Sequence, residues 1–145
     1  MNLRYLAPLL LLPLAACGAS GPSAAPVTVT ATPTGPSVFT ATGHIDVDGS
    51  TYKLYGSVPT CQVEEGYDDI ATGAQVTVKS PQGDVVALGR LGVPLKHGPY
   101  ACRFPFTVTD IPEGFPLYSV EVSHRGALTY SEDEMQSGLK FTLGS

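Results

Sequence analysis

Beyond residue 38, apolar and polar positions alternate in short runs, each closed by glycine, proline or aspartate. Residues 74–79 read Ala-Gln-Val-Thr-Val-Lys and place Val76 and Val78 on one face of a strand. The turn signal Pro81-Gln82-Gly83-Asp84 leads into a second strand over 85–91. In residues 102–108, Cys102, Phe104, Phe106 and Val108 share the inward face, while Arg103 and Thr107 share the other with Thr109. Pro105 has no N–H to give a ladder, which predicts an edge or a bulge at that point. Residues 118–123 and 139–143 alternate in the same way. Residues 44–47, Asp48-Gly49 and residues 50–55 read as a hairpin, because Asp-Gly suits a type I′ turn. These runs predict an all-β domain, a small β-sandwich of about seven strands. One short helix interrupts them near the C-terminus. Ser131-Glu132-Asp133-Glu134 has the capping-box spacing, its acids suit the positive end of a helix dipole, and Gly138 is placed to end it.

The first third of the chain has a different pattern. Residues 1–4 carry one cation, Arg4, and residues 5–14 form a ten-residue apolar run broken by Pro8 and Pro13. A spanning helix needs about 20 apolar residues, so this run predicts an export signal and not a permanent anchor. It ends in Leu14-Ala15-Ala16-Cys17, which resembles the lipobox of bacterial lipoproteins. The resemblance implies diacylglycerol transfer to the Cys17 sulfur, cleavage before it, and a mature protein held by lipid on the outer face of the cytoplasmic membrane. Residues 18–37 contain no charge and four prolines. Such a stretch buries too little apolar surface to offset its ordering, and reads as a tether. Val27-Thr28-Val29-Thr30 is its only strand-like segment. The organisation expected is therefore residues 1–16 as signal, 17–37 as acylated cysteine and tether, and 38–145 as the domain.

Charge narrows the partners. The chain has 8 Lys and Arg against 13 Asp and Glu, a formal net charge of −5, and loss of Arg4 with the signal makes it −6. No basic run is present to neutralise phosphates, which argues against nucleic acid and against electrostatic docking on anionic lipid. Three cysteines are present. With Cys17 taken by acylation, Cys61 and Cys102 are left to pair in an oxidising compartment.

Two sandwich families share short motifs with the domain. Thr72-Gly73-Ala74-Gln75-Val76-Thr77-Val78 with Gly83, and Phe106 to Val108 followed by Ile111-Pro112 and Tyr118-Ser119-Val120-Glu121-Val122, resemble prealbumin-like sandwiches. Gly98-Pro99-Tyr100-Ala101-Cys102 resembles the tyrosine corner of immunoglobulin-like domains, although the chain has no Trp. The prealbumin-like pattern covers more of the chain. The stretch from Gly66-Tyr67-Asp68-Asp69-Ile70 to His124-Arg125-Gly126 is also similar to small exported domains of actinobacteria, a resemblance that implies a source and no activity.

Candidate chemistry is sparse. Nucleophile motifs such as Gly-x-Ser-x-Gly or Ser-x-x-Lys are absent, as are glycine-rich phosphate loops. His44, His97 and His124 are widely spaced for a zinc or copper site. Asp46-Val47-Asp48-Gly49 has its glycine two positions too early for a calcium-loop start. Glu64, Glu65, Asp68 and Asp69 put four carboxylates in six residues and form the one oxygen-rich loop that would suit calcium. Tyr67, within that loop, is expected to be exposed and available for binding; Tyr100 and Tyr118 are expected to serve the core or a corner. The sequence thus predicts a lipid-anchored, non-catalytic binding or structural module without an obligatory cofactor; the alternatives are a calcium-stabilised module using the Glu64–Asp69 loop and a small cell-envelope hydrolase.

Overall fold

A computed structural model describes residues 35–144. Cys17, the signal, residues 27–30 and nearly all of the tether lie outside the described residues. The elements, in chain order, are β1 (Val38–Asp48), β2 (Thr51–Tyr55), β3 (Val58–Gln62), β4 (Gln75–Lys79), β5 (Val85–Leu91), β6 (Leu95–His97), β7 (Ala101–Pro112), β8 (Tyr118–Val122), β9 (Ala127–Tyr130), α1 (Glu132–Ser137) and β10 (Leu139–Leu143).

The all-β class and the single short helix agree with the sequence pattern. Seven strands are marked by alternation, and β3, β6 and β9 are additional. β3 contains Pro59, β6 has 3 residues and β9 has 4, so none offers a run long enough to show a period. Eight strands form one curled sheet in the order β10-β1-β7-β5-β4-β8-β9, with β6 also on β7; β2 and β3 form a separate two-stranded sheet. The concave face encloses the core. Ile45 and Val47 of β1, Phe104, Phe106 and Val108 of β7, Val76 and Val78 of β4, and Val120 and Val122 of β8 meet there. Burying aliphatic and aromatic side chains of this size contributes about 1.5–3 kcal/mol each.

The expected hairpin of residues 44–55 does not form. Gly49 makes the turn with a φ of 75°, but β2 leaves the sheet and pairs with β3, Tyr52 opposite Cys61. Both edges of β1 are already taken. β7 runs antiparallel along one edge, Ile45 opposite Phe104, and β10 runs parallel along the other, Ile45 opposite Phe141. A strand with two partners has no hydrogen-bonding edge left for its sequence neighbour.

Two local expectations also change. Pro105 sits within a central strand, neither at an edge nor at a bulge. It occupies the place where β7 exchanges β5 for β6 as neighbour, and there Gly92 N–H donates to its carbonyl at 2.7 Å. The missing N–H therefore falls where no acceptor strand runs. Tyr100 is 71 % exposed and forms no corner. Tyr118 is the fully buried tyrosine: its hydroxyl donates to the Pro112 carbonyl at 2.6 Å, with Glu132 Oε2 at 3.1 Å, and Phe39 and Phe115 stand edge-on to its ring. Helix α1 has the predicted cap. The Ser131 hydroxyl accepts from Glu134 N–H, Glu134 Oε2 accepts from Ser131 N–H at 2.7 Å, and Met135 turns into the core.

Candidate binding site

The feature outside the curled sheet is the β2–β3 hairpin. Its side chains alternate between two faces. Tyr52 and Leu54, with Pro59 and Cys61 opposite them, share one face; Lys53 and Tyr55, with Thr60 and Val58 opposite, share the other. Tyr52 and Cys61 pack against the core, and Cys61 is bonded to the fully buried Cys102 of β7 across a Cα separation of 6.2 Å. Two strands alone are marginal in water, so this staple and the Tyr52 contact hold the hairpin in place. Gly56 takes a φ of 62° at the tip, a left-handed conformation that favours glycine.

Past the staple the hairpin overhangs. Leu54, Tyr55 and Val58 are 62 %, 59 % and 64 % exposed, so three large apolar side chains lie within five residues. Under the β3 side runs a cleft of about 550 Å³, lined by Pro59 to Val63, Asp68, Ile70 to Thr72, Pro94 and Phe104. Val93 and Leu95, on either side of Pro94, are also exposed. The cleft has a mixed lining, with Thr60, Gln62, Asp68 and Thr72 as its polar groups, and the apolar tip projects beside it.

The acidic loop is dispersed in the structure. Glu64 folds against Gly49, where an added Cβ would stand 2.5 Å from its carboxyl carbon. Glu65 is exposed, and Asp68 turns to the cleft. Asp69 is bound by Arg125: Nε donates at 3.0 Å to Oδ2, and Nη2 donates to Oδ1 and to the Gly66 carbonyl. Desolvation works against the Asp69 carboxylate, but hydrogen bonds from Arg125 and Ser123 outweigh it and hold its pKa below the usual range. Among the described residues no three His, Cys, Asp or Glu side chains are grouped as a metal site. Tyr67 also departs from expectation. It is half-buried against the core, with the Arg125 guanidinium 4.8 Å above its ring centre. The loop is thus clamped to the sheet by a cation–π contact and a bidentate ion pair.

A second charged cluster lies on the outer face of β1. Asp46 is buried and is held bidentately by Arg103, Nε to Oδ1 and Nη2 to Oδ2, each at 2.7 Å. Their positions are opposite each other in the β1–β7 register. His44 and His97 each bring Nε2 to 3.7 Å from Asp46 Oδ2, and Arg103 Nη2 stands 3.1 Å from His97 Nε2. The Arg103 hydrogen bonds lower the Asp46 pKa against the opposing cost of burial. Burial, with the Arg103 charge second, lowers that of His44. Nothing in the sequence marks Asp46 and Arg103 as a pair; the signal available is one charge each within apolar alternation. His124 stays on the surface, near the Ser123 hydroxyl at 3.4 Å.

Comparison with protein-family models, with curated proteins and with solved structures finds no match to this chain.

Proposed function

We propose that this chain is a lipoprotein anchored through Cys17 to the outer face of a bacterial cytoplasmic membrane, and that its β domain acts by binding and not by catalysis. The observation that carries the binding reading is the hairpin tip: Leu54, Tyr55 and Val58 exposed on a hairpin stapled to the core. Apolar side chains exposed together in this way gain by leaving water on contact with a partner. Bonding of Cys61 to Cys102 supports the exported location, because structural disulfides persist in oxidising compartments. Among the described residues no helix is long and apolar enough to cross a membrane, and the attachment proposed is the acyl chains on Cys17.

The non-catalytic part rests on where the charged groups spend their bonds. Asp46 is held by Arg103, Asp69 by Arg125, Glu121 by Lys79 at 3.0 Å, and Glu134 by the helix cap. Each of these carboxylates serves the fold. The test is a photo-crosslinking side chain at Val58 of the full-length protein in intact cells, with Leu88 of β5 as the comparison position. A discrete adduct from Val58 and none from Leu88 is expected. Equal labelling of both positions would remove the hairpin from the reading.

A further inference from the structure

Building on that reading, we infer that the surface bound by the hairpin tip is the lipid bilayer to which the chain is anchored. Three properties of the hairpin fit an interface between water and acyl chains. Its tip is apolar, with Leu54 and Val58 on opposite faces and Tyr55 between them in sequence, so the tip is greasy all round. Tyrosine is suited to the headgroup level, where its ring is buried and its hydroxyl stays wet. Residues 51–63 carry a single charge, Lys53, within a domain otherwise rich in carboxylates. A lysine three residues before Gly56 can lay its apolar stem along the acyl boundary and leave its ammonium at the headgroups. The hairpin itself therefore offers no carboxylate to repel anionic lipid.

The anchor supplies what the small tip lacks. Three half-free side chains are too little to hold a soluble domain on a bilayer, but a tethered site works at an effective concentration in the millimolar range. Reach is sufficient. The tether enters β1 at Val38, and the hairpin begins beyond Asp48, 11 residues along the strand, about 35 Å away. The 20 residues of 18–37 span about 25 Å as a coil and about 60 Å when extended. Pro59, next to the tip residue Val58, shares a cleft with Pro94, whose neighbours Val93 and Leu95 are exposed. The hairpin thus sets the orientation of a domain that Cys17 alone would leave free to tumble.

The chain has no Trp, so a single introduced indole reports its own surroundings. Full-length, lipidated Leu54→Trp and Leu88→Trp proteins are reconstituted with phosphatidylcholine vesicles containing lipid brominated on its acyl chains. Flotation is scored first, then emission. The expected result is that both proteins float, while only the Leu54→Trp protein shifts its emission to the blue and loses intensity to the bromines. If both float and the Leu54→Trp protein is quenched no more than the Leu88→Trp protein, the lipid-docking inference is overturned, the anchored binding module stands, and the tip is assigned to a protein partner. If neither floats, the anchor reading falls and takes the inference with it. Val58→Trp gives the same decision should Leu54→Trp melt below the parent protein.

Discussion

Replacing Cys61 and Cys102 together by alanine separates the two supports of the hairpin, the covalent staple and the Tyr52 contact. The bond closes a loop with a sequence separation of 41. In the chain-entropy description such a closure removes about 4 kcal/mol worth of freedom from the unfolded chain. Cys102 is fully buried and Cys61 partly so, and the two lost sulfur atoms cost little beside the loop term. Domains of this size hold about 5–15 kcal/mol in all, so the double variant loses a large share of its stability without being driven to unfold. The melting temperature should fall by about 15 °C. The loss should also be uneven. Without the bond β2–β3 has little besides Tyr52, and Val63 just beyond β3, facing the core, and two strands alone are marginal. Amide hydrogen exchange should show residues 51–62 opening well before the β1–β7 ladder. Denaturant unfolding gives the global number and exchange the local one. A loss under about 1 kcal/mol, with the hairpin amides still protected, would refute the reasoning, because the staple would then not be what positions the tip.

Three further perturbations follow from individual contacts. Tyr118→Phe removes the 2.6 Å hydrogen bond to the Pro112 carbonyl in a fully buried setting, and should cost about 1–2 kcal/mol in urea unfolding while leaving Phe39 and Phe115 packed. Gly43→Ala should cost about 1–3 kcal/mol and loosen β10, since a Cβ there would stand 2.7 Å from the Leu139 carbonyl oxygen and against the Phe106 ring; circular dichroism and exchange of residues 139–143 check it. Acid should weaken the β1 cluster in two stages. The pKa of His44 is lowered in the fold, so stability is complete above its ordinary value of 6.5 and declines as pH falls below it. The pKa of Asp46 is also lowered, so its contribution is complete above 3.8 and is lost as pH falls through the folded value. Melts from pH 8 to pH 3 should show His44→Gln flattening the first stage and Asp46→Asn the second; a variant slope identical to that of the parent protein in the matching window would contradict the assignment.

How far the sequence foretells this arrangement depends on the range of each interaction. Strands with a buried face announce themselves by period two, so Val76, Val78, Phe104, Phe106 and Val120 can be placed inward from the sequence alone. The helix cap is equally legible, because a capping box is made within four residues. The cysteine pair comes from counting, once Cys17 is assigned elsewhere. What stays hidden is pairing over distance. Asp48-Gly49 does make a turn, yet the strand after it goes to another sheet because β7 and β10, one of them near the chain's end, already flank β1. Nothing local to residues 44–55 carries that information.

The candidate site divides along the same line. Tyr67 and Asp69 look like an open, acidic binding loop because Arg125, 56 positions beyond Asp69, is invisible in the loop's own sequence. Its guanidinium turns both residues into structure. Asp46 and Arg103 escape notice for the corresponding reason: each looks like a solvent-facing residue of an alternating strand, and only the register makes them a half-buried pair. The exposed tip is hidden too. Leu54 and Val58 look like ordinary strand residues, and their exposure follows from the hairpin projecting past the core it is stapled to.

The measurement that tests the central claim most directly is membrane fractionation of the full-length protein beside Cys17→Ala, with the intact mass of each. An anchored lipoprotein predicts that the parent chain sediments with membranes, begins at Cys17 and carries added acyl mass, while Cys17→Ala leaves the membrane fraction. Equal membrane association of the two proteins, or a parent chain of unmodified mass, would contradict the account.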